Sequence, residues 1–283
     1  MSRSEPAAER DVRTDDGRVL RVHDGGAVAT GERLTILWHH GSPQTGALLD
    51  PLLRAAAARG IRLVSYARPS YRGSSPRPGR DVASAAADVA RIADALGIGR
   101  FATMGASGGG PHALACSALV GDRVTGVACL ASIAPYTEEF DWFAGMAAPG
   151  GLRAALSGRA ERARFAQIDE FDETSFTAAD RDALRGAWAS LGADAGRAEA
   201  AGPDGLIDDD VAFAKAWGFN VAQVRAPVLL VQGGEDRIVP RTHADWLLAH
   251  CPRAELWLRP RDGHVSVLDG CGVAMDWLLA QDG

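Results

Sequence analysis

Lysine is almost missing from this chain of 283 residues: Lys215 is the only one, and arginine carries the rest of the positive charge. This reads as a compositional bias and not as a functional mark. The balance is acidic, with a formal net charge of −6 and no basic cluster, which argues against nucleic acid as a partner because phosphate contacts need a Lys/Arg face. Cysteine is also scarce. Cys116, Cys129, Cys251 and Cys271 show no C-x-x-C spacing, so no metal site is expected, and two of them lie in apolar segments, as small core residues of a reducing compartment would. No run of eighteen apolar residues occurs, and Met1 to Asp16 is charged throughout with no apolar stretch. Neither membrane insertion nor secretion is expected, and the expected location is cytoplasmic. No repeat or low-complexity linker interrupts the chain, which is long enough to bury about 75% of its unfolded surface without disulfides.

What is present is an alternation of short apolar runs and amphipathic stretches. Asp15-Asp16-Gly17 between two alternating segments predicts a β-hairpin at the edge of a sheet. Leu34 to Trp38, Ile61 to Tyr66, Phe101 to Gly105, Val127 to Ala131, Val228 to Gln232 and Ala254 to Leu258 read as strands. Helices are expected between them: one capped by Asp50 with Pro51 in first position, one capped by Asp81 and stopped by Gly97, and others over Gly109 to Val120, Thr242 to His250 and Gly272 to Ala280. Strands alternating with helices predict βαβ units and a mostly parallel sheet with helices on both faces. From Pro135 to about Phe219 the pattern changes, with no convincing strand and aromatic residues scattered among helical patterns. A helical insertion, or cap, over 135–219 is therefore expected between core segments 1–134 and 220–283. Its two acidic runs, Asp169-Glu170 to Asp172-Glu173 and Asp208-Asp209-Asp210, read as solvated faces.

The stretch Gly105-Ala106-Ser107-Gly108-Gly109 is a G-x-S-x-G pattern set between an expected strand and an expected helix. Its glycines fit a sharp turn that would present the Ser107 hydroxyl, and the following helix would turn its amide-rich end towards a developing oxyanion. A serine hydroxyl is a poor nucleophile near neutral pH. It needs a base, and the base needs a third group to hold its tautomer. Asp262-Gly263-His264 follows the last strand and Gly233-Gly234-Glu235-Asp236 follows the strand before it, which places His264 and Asp236 at the same sheet edge as Ser107. Glu235 competes with Asp236 for the third role. The other histidines, His23, His39, His112, His243 and His250, read as packing or surface residues.

The order Ser107, Asp236, His264 at successive strand ends, together with His40-Gly41-Ser42-Pro43 after an earlier strand, resembles the α/β-hydrolase family. The resemblance covers roughly Asp11 to Ala134 and Phe219 to Ala280. It implies an α/β-hydrolase fold and an oxyanion hole built from the backbone amides of Ser42 and Gly108, with His40 orienting that turn. It also favours Asp236 over Glu235. One loop departs from the family: where D-x-P-G-x-G-x-S is common, this chain has Ala67-Arg68-Pro69-Ser70-Tyr71-Arg72-Gly73-Ser74. Arg68 and Arg72 read there as exposed arginines of a structural loop, with contact to an anionic substrate as the alternative.

The activity implied is that of a serine hydrolase acting on a carboxylic ester or related acyl compound through an acyl-enzyme, with a small-molecule acyl substrate and no cofactor. Family members that resemble this architecture but act as dehalogenases or epoxide hydrolases place an aspartate where Ser107 stands. A proline-iminopeptidase-like aminopeptidase, with acidic cap residues holding a substrate amine, is the alternative within hydrolases. Perhydrolysis, as in haloperoxidase-like relatives, is a conceivable side activity. A ligand receptor on the same fold is the alternative outside them. Trp142, Phe143 and Met146 are candidate pocket residues, against core packing of the insertion.

Overall fold

The structure is a computed structural model that describes residues 7–26, 31–170 and 172–282. The first six residues of the charged N-terminal stretch lie outside the described residues. Eight strands form one sheet: β1 (Ala8–Arg13), β2 (Val19–Asp24), β3 (Leu34–His39), β4 (Ile61–Tyr66), β5 (Phe101–Ala106), β6 (Val124–Leu130), β7 (Val228–Gly233) and β8 (Ala254–Arg259). Their order across the sheet is β1-β2-β4-β3-β5-β6-β7-β8. The expected hairpin is present, with β1 and β2 antiparallel and β2 antiparallel to β4, while every pairing from β4 to β8 is parallel.

Strands β3, β5, β6 and β7 are buried along their whole length, which is why they read as continuous apolar runs and not as alternating ones. Their side chains still divide between two cores. Leu37 belongs to one core together with residues of α2 (Ser84–Ala95), α3 (Gly110–Val120) and α9 (Arg241–His250). Ile36 and Trp38 belong to the other, closed by α1 (Asp50–Ala57) and α10 (Cys271–Gln281). Helix α2 shows how the pattern becomes packing: Val89, Ile92 and Ala93 are buried, Asp81 Oδ1 accepts from the Ser84 amide at 2.8 Å, and Gly97 ends the helix with φ +68°. Asp50 does not cap α1. It occupies the first turn, Leu49 stands at the cap, and no side chain bonds the free amides there. All four cysteines are buried and free.

Between β6 and β7 the described residues hold only helices: α4 (Gly150–Leu156), α5 (Arg159–Phe165), α6 (Ala178–Arg185), α7 (Ala189–Ala200), α8 (Asp204–Phe213) and short 3₁₀ turns. One acidic run behaves as the sequence predicts, since Asp169, Glu170, Asp172 and Glu173 are exposed. The other does not. Asp208, Asp209 and Asp210 on α8 are all buried. They are neutralised one by one: Asp208 by Arg159 at 2.8 Å, Asp209 by Arg68 at 2.6 Å and Arg80 at 2.5 Å, and Asp210 by Arg162 at 2.6 Å. Buried charges persist only when paired and hydrogen-bonded, and these are. Arg68 is correspondingly not an exposed loop arginine, for it is 1% exposed. Arg72 is exposed, as expected.

Candidate functional site

Strand β5 ends at Ala106, and Ser107 takes φ +53°, a left-handed conformation that a non-glycine residue rarely adopts. The glycines around it are steric necessities. A Cβ on Gly105 would lie 2.4 Å from the Gly109 carbonyl oxygen, and one on Gly109 would lie 2.0 Å from the His39 carbonyl oxygen. The turn therefore nests against the end of β3 with no space for side chains, and strain of about 1–3 kcal/mol at Ser107 is held by that packing.

Helix α3 begins directly after the turn. The His264 Nε2 lies 3.0 Å from Ser107 Oγ, and its Nδ1 lies 2.8 Å from Asp236 Oδ2. Asp236 Oδ1 in turn accepts the amides of Ile238 and Val239, each at 2.9 Å, and its Oδ2 accepts weakly from Gln232 Nε2 at 3.4 Å. Ser107, Asp236 and His264, drawn from the loops after β5, β7 and β8, are thus brought into one hydrogen-bonded chain. Glu235 is exposed and takes no part in it. Burial lowers the tendency of His264 to protonate, but the Asp236 carboxylate outweighs it, and the imidazole titrates above its ordinary value of 6.5. A serine, a histidine and a buried carboxylate so arranged can move a proton from hydroxyl to imidazole while the carboxylate holds the other ring nitrogen as donor.

The loop after β3 closes the opposite side. The Gly41 amide donates to Gln44 Oε1 at 2.6 Å, and a Cβ at Gly41 would sit 3.7 Å from Ser107 Cβ. Ser42 and Gly108 are neighbours, since a Cβ on Gly108 would meet Ser42 Oγ at 2.6 Å. His40 stays inside the loop: its Nδ1 lies 2.7 Å from the Gly41 carbonyl, and its Nε2 accepts the Arg68 amide at 3.2 Å. Burial and the nearby Arg68 push its pKa well down, so it is a neutral strut.

A cavity of about 580 Å³ opens onto Ser107 and His264. Trp38, Leu49, Leu184, Trp188, Leu191 and Leu268 give it an apolar lining, and among the described residues no lysine or arginine borders it. Glu199 on α7, which is exposed, is the only carboxylate among the described residues that does. Trp142, Phe143 and Met146 do not border this cavity. Trp142 and Phe143 are buried and Met146 packs beside them against the core, with the Trp142 indole N–H donating to the Ala134 carbonyl at 2.9 Å. The aromatics that border it are instead Trp38, Phe176 and Trp188, the last with its indole N–H held by Asp269 at 2.8 Å. Among the described residues, no group of three or more His, Cys, Asp or Glu side chains is arranged to hold a metal ion, and no helix is long and apolar enough to cross a membrane.

Sequence reasoning passed over the aspartates that tie the helical segment to these loops. Asp209 Oδ2 accepts from the hydroxyls of Ser42 at 2.5 Å and Tyr71 at 2.7 Å, Asp194 accepts the Thr45 amide at 3.0 Å, and Asp180 accepts the amides around His264. Two signals were available. Asp208 to Asp210 are flanked by Leu206, Ile207, Val211 and Phe213, which leave α8 no polar face. Thr177 and Asp180 have capping-box spacing.

Residues 35–270 match the alpha/beta hydrolase fold family, and the chain belongs to it. Among solved structures, an esterase from Exiguobacterium antarcticum superposes with a TM-score of 0.72 at 17% identity, covering 98% of this chain and 100% of that one. An enol-lactonase from Burkholderia xenovorans gives 0.72 at 17% identity over 96% and 100%. A bromoperoxidase from Bacillus anthracis gives 0.71 at 21% over 96% and 98%. At these identities the likeness is one of fold. A curated relative, the pimeloyl-[acyl-carrier protein] methyl ester esterase of Nitrosomonas europaea, is 50% identical over 46 residues, a match spanning 16% of this chain and 18% of that protein.

Proposed function

We propose that the protein is a serine hydrolase that cleaves a neutral carboxylic ester with an apolar acyl or alcohol part. The observation that carries this reading is the continuous chain Ser107–His264–Asp236 at 3.0 and 2.8 Å, opening onto an apolar cavity. Ser107 Oγ attacks the ester carbonyl as His264 takes its proton. The tetrahedral oxyanion is received by the backbone amides of Ser42 and Gly108, donors each worth on the order of 10²- to 10³-fold in rate. Collapse expels the alcohol, which takes the proton from His264, and water then releases the acyl group by the same steps in reverse. The helical segment acts as a fixed cap, its α6 and α7 supplying one wall of the acyl cavity. The expected location is cytoplasmic.

An apolar lining without a cation fits an uncharged chain and disfavours substrates bearing a free carboxylate near the scissile bond. An aminopeptidase would need a free cap carboxylate for the substrate amine; Asp208, Asp209 and Asp210 are already taken by arginines, so Glu199 is the one candidate at the cavity among the described residues, a single carboxylate in a largely apolar lining. That leaves the ester as the favoured substrate, as in the esterases among the relatives.

A fluorophosphonate probe is expected to label the wild-type protein and to leave Ser107→Ala unlabelled, with turnover of p-nitrophenyl esters in that variant down by on the order of 10⁶-fold. In a series of acyl lengths, kcat/KM should rise from acetate to a medium chain. A wild-type protein that is neither labelled nor active on any of these esters would overturn the reading, and a strong preference for proline p-nitroanilide would replace it by the peptidase.

A further inference from the structure

The mechanism above uses Asp236 but leaves unused a second carboxylate behind the same histidine. Asp180, in the first turn of α6, is 1% exposed. Its Oδ1 accepts the amides of Val265 and Ser266, both at 2.8 Å, and the Ser266 hydroxyl at 3.0 Å. Its Oδ2 accepts the His264 amide at 3.2 Å and, as part of a capping box, the amide of Thr177 at 3.0 Å and its hydroxyl at 2.9 Å. A capping box asks one such bond of its carboxylate, from the N-cap amide; this carboxylate receives six. Four of them come from a loop more than eighty residues away, which local helix capping does not require. The approach is tight, since a Cβ on Gly263 would fall 2.1 Å from Asp180 Oδ2. The loop's glycine is there to admit the carboxylate.

We infer that Asp180 is a positioning residue for His264: its carboxylate clamps the backbone of residues 264–266 and so aims the imidazole at Ser107. This rests on the serine-hydrolase reading for its catalytic consequence, though not for its geometry. Charged and titratable groups face His264 from three elements, Asp236 from the loop after β7, Asp180 from α6, and the Ser107 hydroxyl from the turn after β5. Burial tends to raise the pKa of Asp180, but the backbone amides outweigh it, so the group stays ionised and adds negative potential at the imidazole. A clamp of this kind affects kcat through geometry and the acid limb of the pH profile through charge.

The test compares wild type with Asp180→Asn, and with Asp182→Asn as a control on the exposed side of the same helix. Asp180→Asn is expected to lower kcat on a short p-nitrophenyl ester by on the order of 10²-fold, with KM changed by less than about twofold, since misplacing a reacting group by about an ångström has such an effect. The acid limb should move to lower pH. The titration of ¹³C-labelled His264 followed by NMR should move with it, and that readout needs no substrate. Asp182→Asn should match wild type in all three. If Asp180→Asn melts lower but keeps wild-type kcat and His264 titration, Asp180 is only a helix cap and the inference fails. Should that variant not fold, Ser266→Ala keeps the charge while removing the hydroxyl's bond to Asp180 and, with it, the acceptor of the Gly263 amide; kcat then falls several-fold with the acid limb in place, and an unchanged kcat overturns the inference. A wild-type protein that turns over no ester sinks the hydrolase reading by itself, whereas the NMR titration still decides on Asp180.

Discussion

The two sides of the cavity at Ser107 are held in place by different balances of forces. On the sheet side, Ser107, Asp236 and His264 sit at the carboxyl ends of β5, β7 and β8, and their placement follows from strand order and backbone turns in a core that is apolar on both faces. On the helical side, Trp188, Ala212 and Phe213 reach into the cores on those faces, and to this packing α6, α7 and α8 add a set of buried aspartates, each spanning a large sequence separation: Asp209 to Arg68 and Ser42, Asp194 to Thr45, Asp180 to the His264 loop. Substitutions on the sheet side should therefore change chemistry at nearly constant stability. Those at the helical aspartates should act on stability as well.

The sharpest separation is expected at Asp236. Asp236→Asn keeps the shape of the side chain but lets the imidazole adopt the wrong tautomer, for a loss in kcat on the order of 10⁴-fold. The pH profile gives the sign of the wild-type arrangement. His264 must be neutral to accept the serine proton, and the Asp236 carboxylate holds its pKa above 6.5, so kcat/KM should climb with rising pH through a limb above 6.5. A wild-type limb below 6.5 would contradict the electrostatics described, and a loss in Asp236→Asn of less than tenfold would remove Asp236 from the chain.

Asp209 should show the opposite balance. Burial opposes its ionisation, but Arg68 and Arg80 hold its pKa well below the usual carboxylate range. Asp209→Ala strands both guanidinium groups in the interior and takes the acceptor from Ser42 and Tyr71. A loss of about 3–5 kcal/mol in unfolding free energy is expected, readable by urea denaturation. A loss below about 1 kcal/mol would mean that water or a neighbouring group replaces the carboxylate, and the contrast between the two sides would collapse.

This difference also explains what could be read from the chain alone. The sheet and the meeting of Ser107, Asp236 and His264 at its edge were legible because each rests on local signals: apolar runs of strand length, glycines where backbones touch, and chemistry-bearing residues just past strand ends, as at Gly105, Ser107 and His264. The helical side is written in pairings between distant residues. Nothing local to Asp209 announces Arg68, 141 positions away, and a run of three aspartates taken by itself fits solvent better than a core. The loop from Ala67 to Ser74 departs from the family pattern at Ala67, Ser70 and Arg72, whereas Arg68 stands at a variable position, so even that departure did not point to the pairing. Trp142 and Phe143 stayed open between pocket and core for a related reason. Large aromatics in a helical segment fit a pocket as well as a core until the chain path is known.

Trp142 gives the smallest and most discriminating measurement. Its ring packs on Phe143 and His243 in the core beneath the insertion, and its indole N–H is the partner of the buried Ala134 carbonyl. Trp142→Phe keeps an aromatic ring but leaves that carbonyl without its donor, a loss of about 1–3 kcal/mol in stability. Because the residue lies outside the cavity that Trp188 borders, kcat/KM across a series of ester chain lengths should keep both its magnitude and its optimum. Trp188→Phe should do the reverse and shift the chain-length optimum. If Trp142→Phe shifts it instead, the substrate reaches Ser107 from the α9 side of the insertion, and the wall formed by α6 and α7 is not the one that reads the acyl chain.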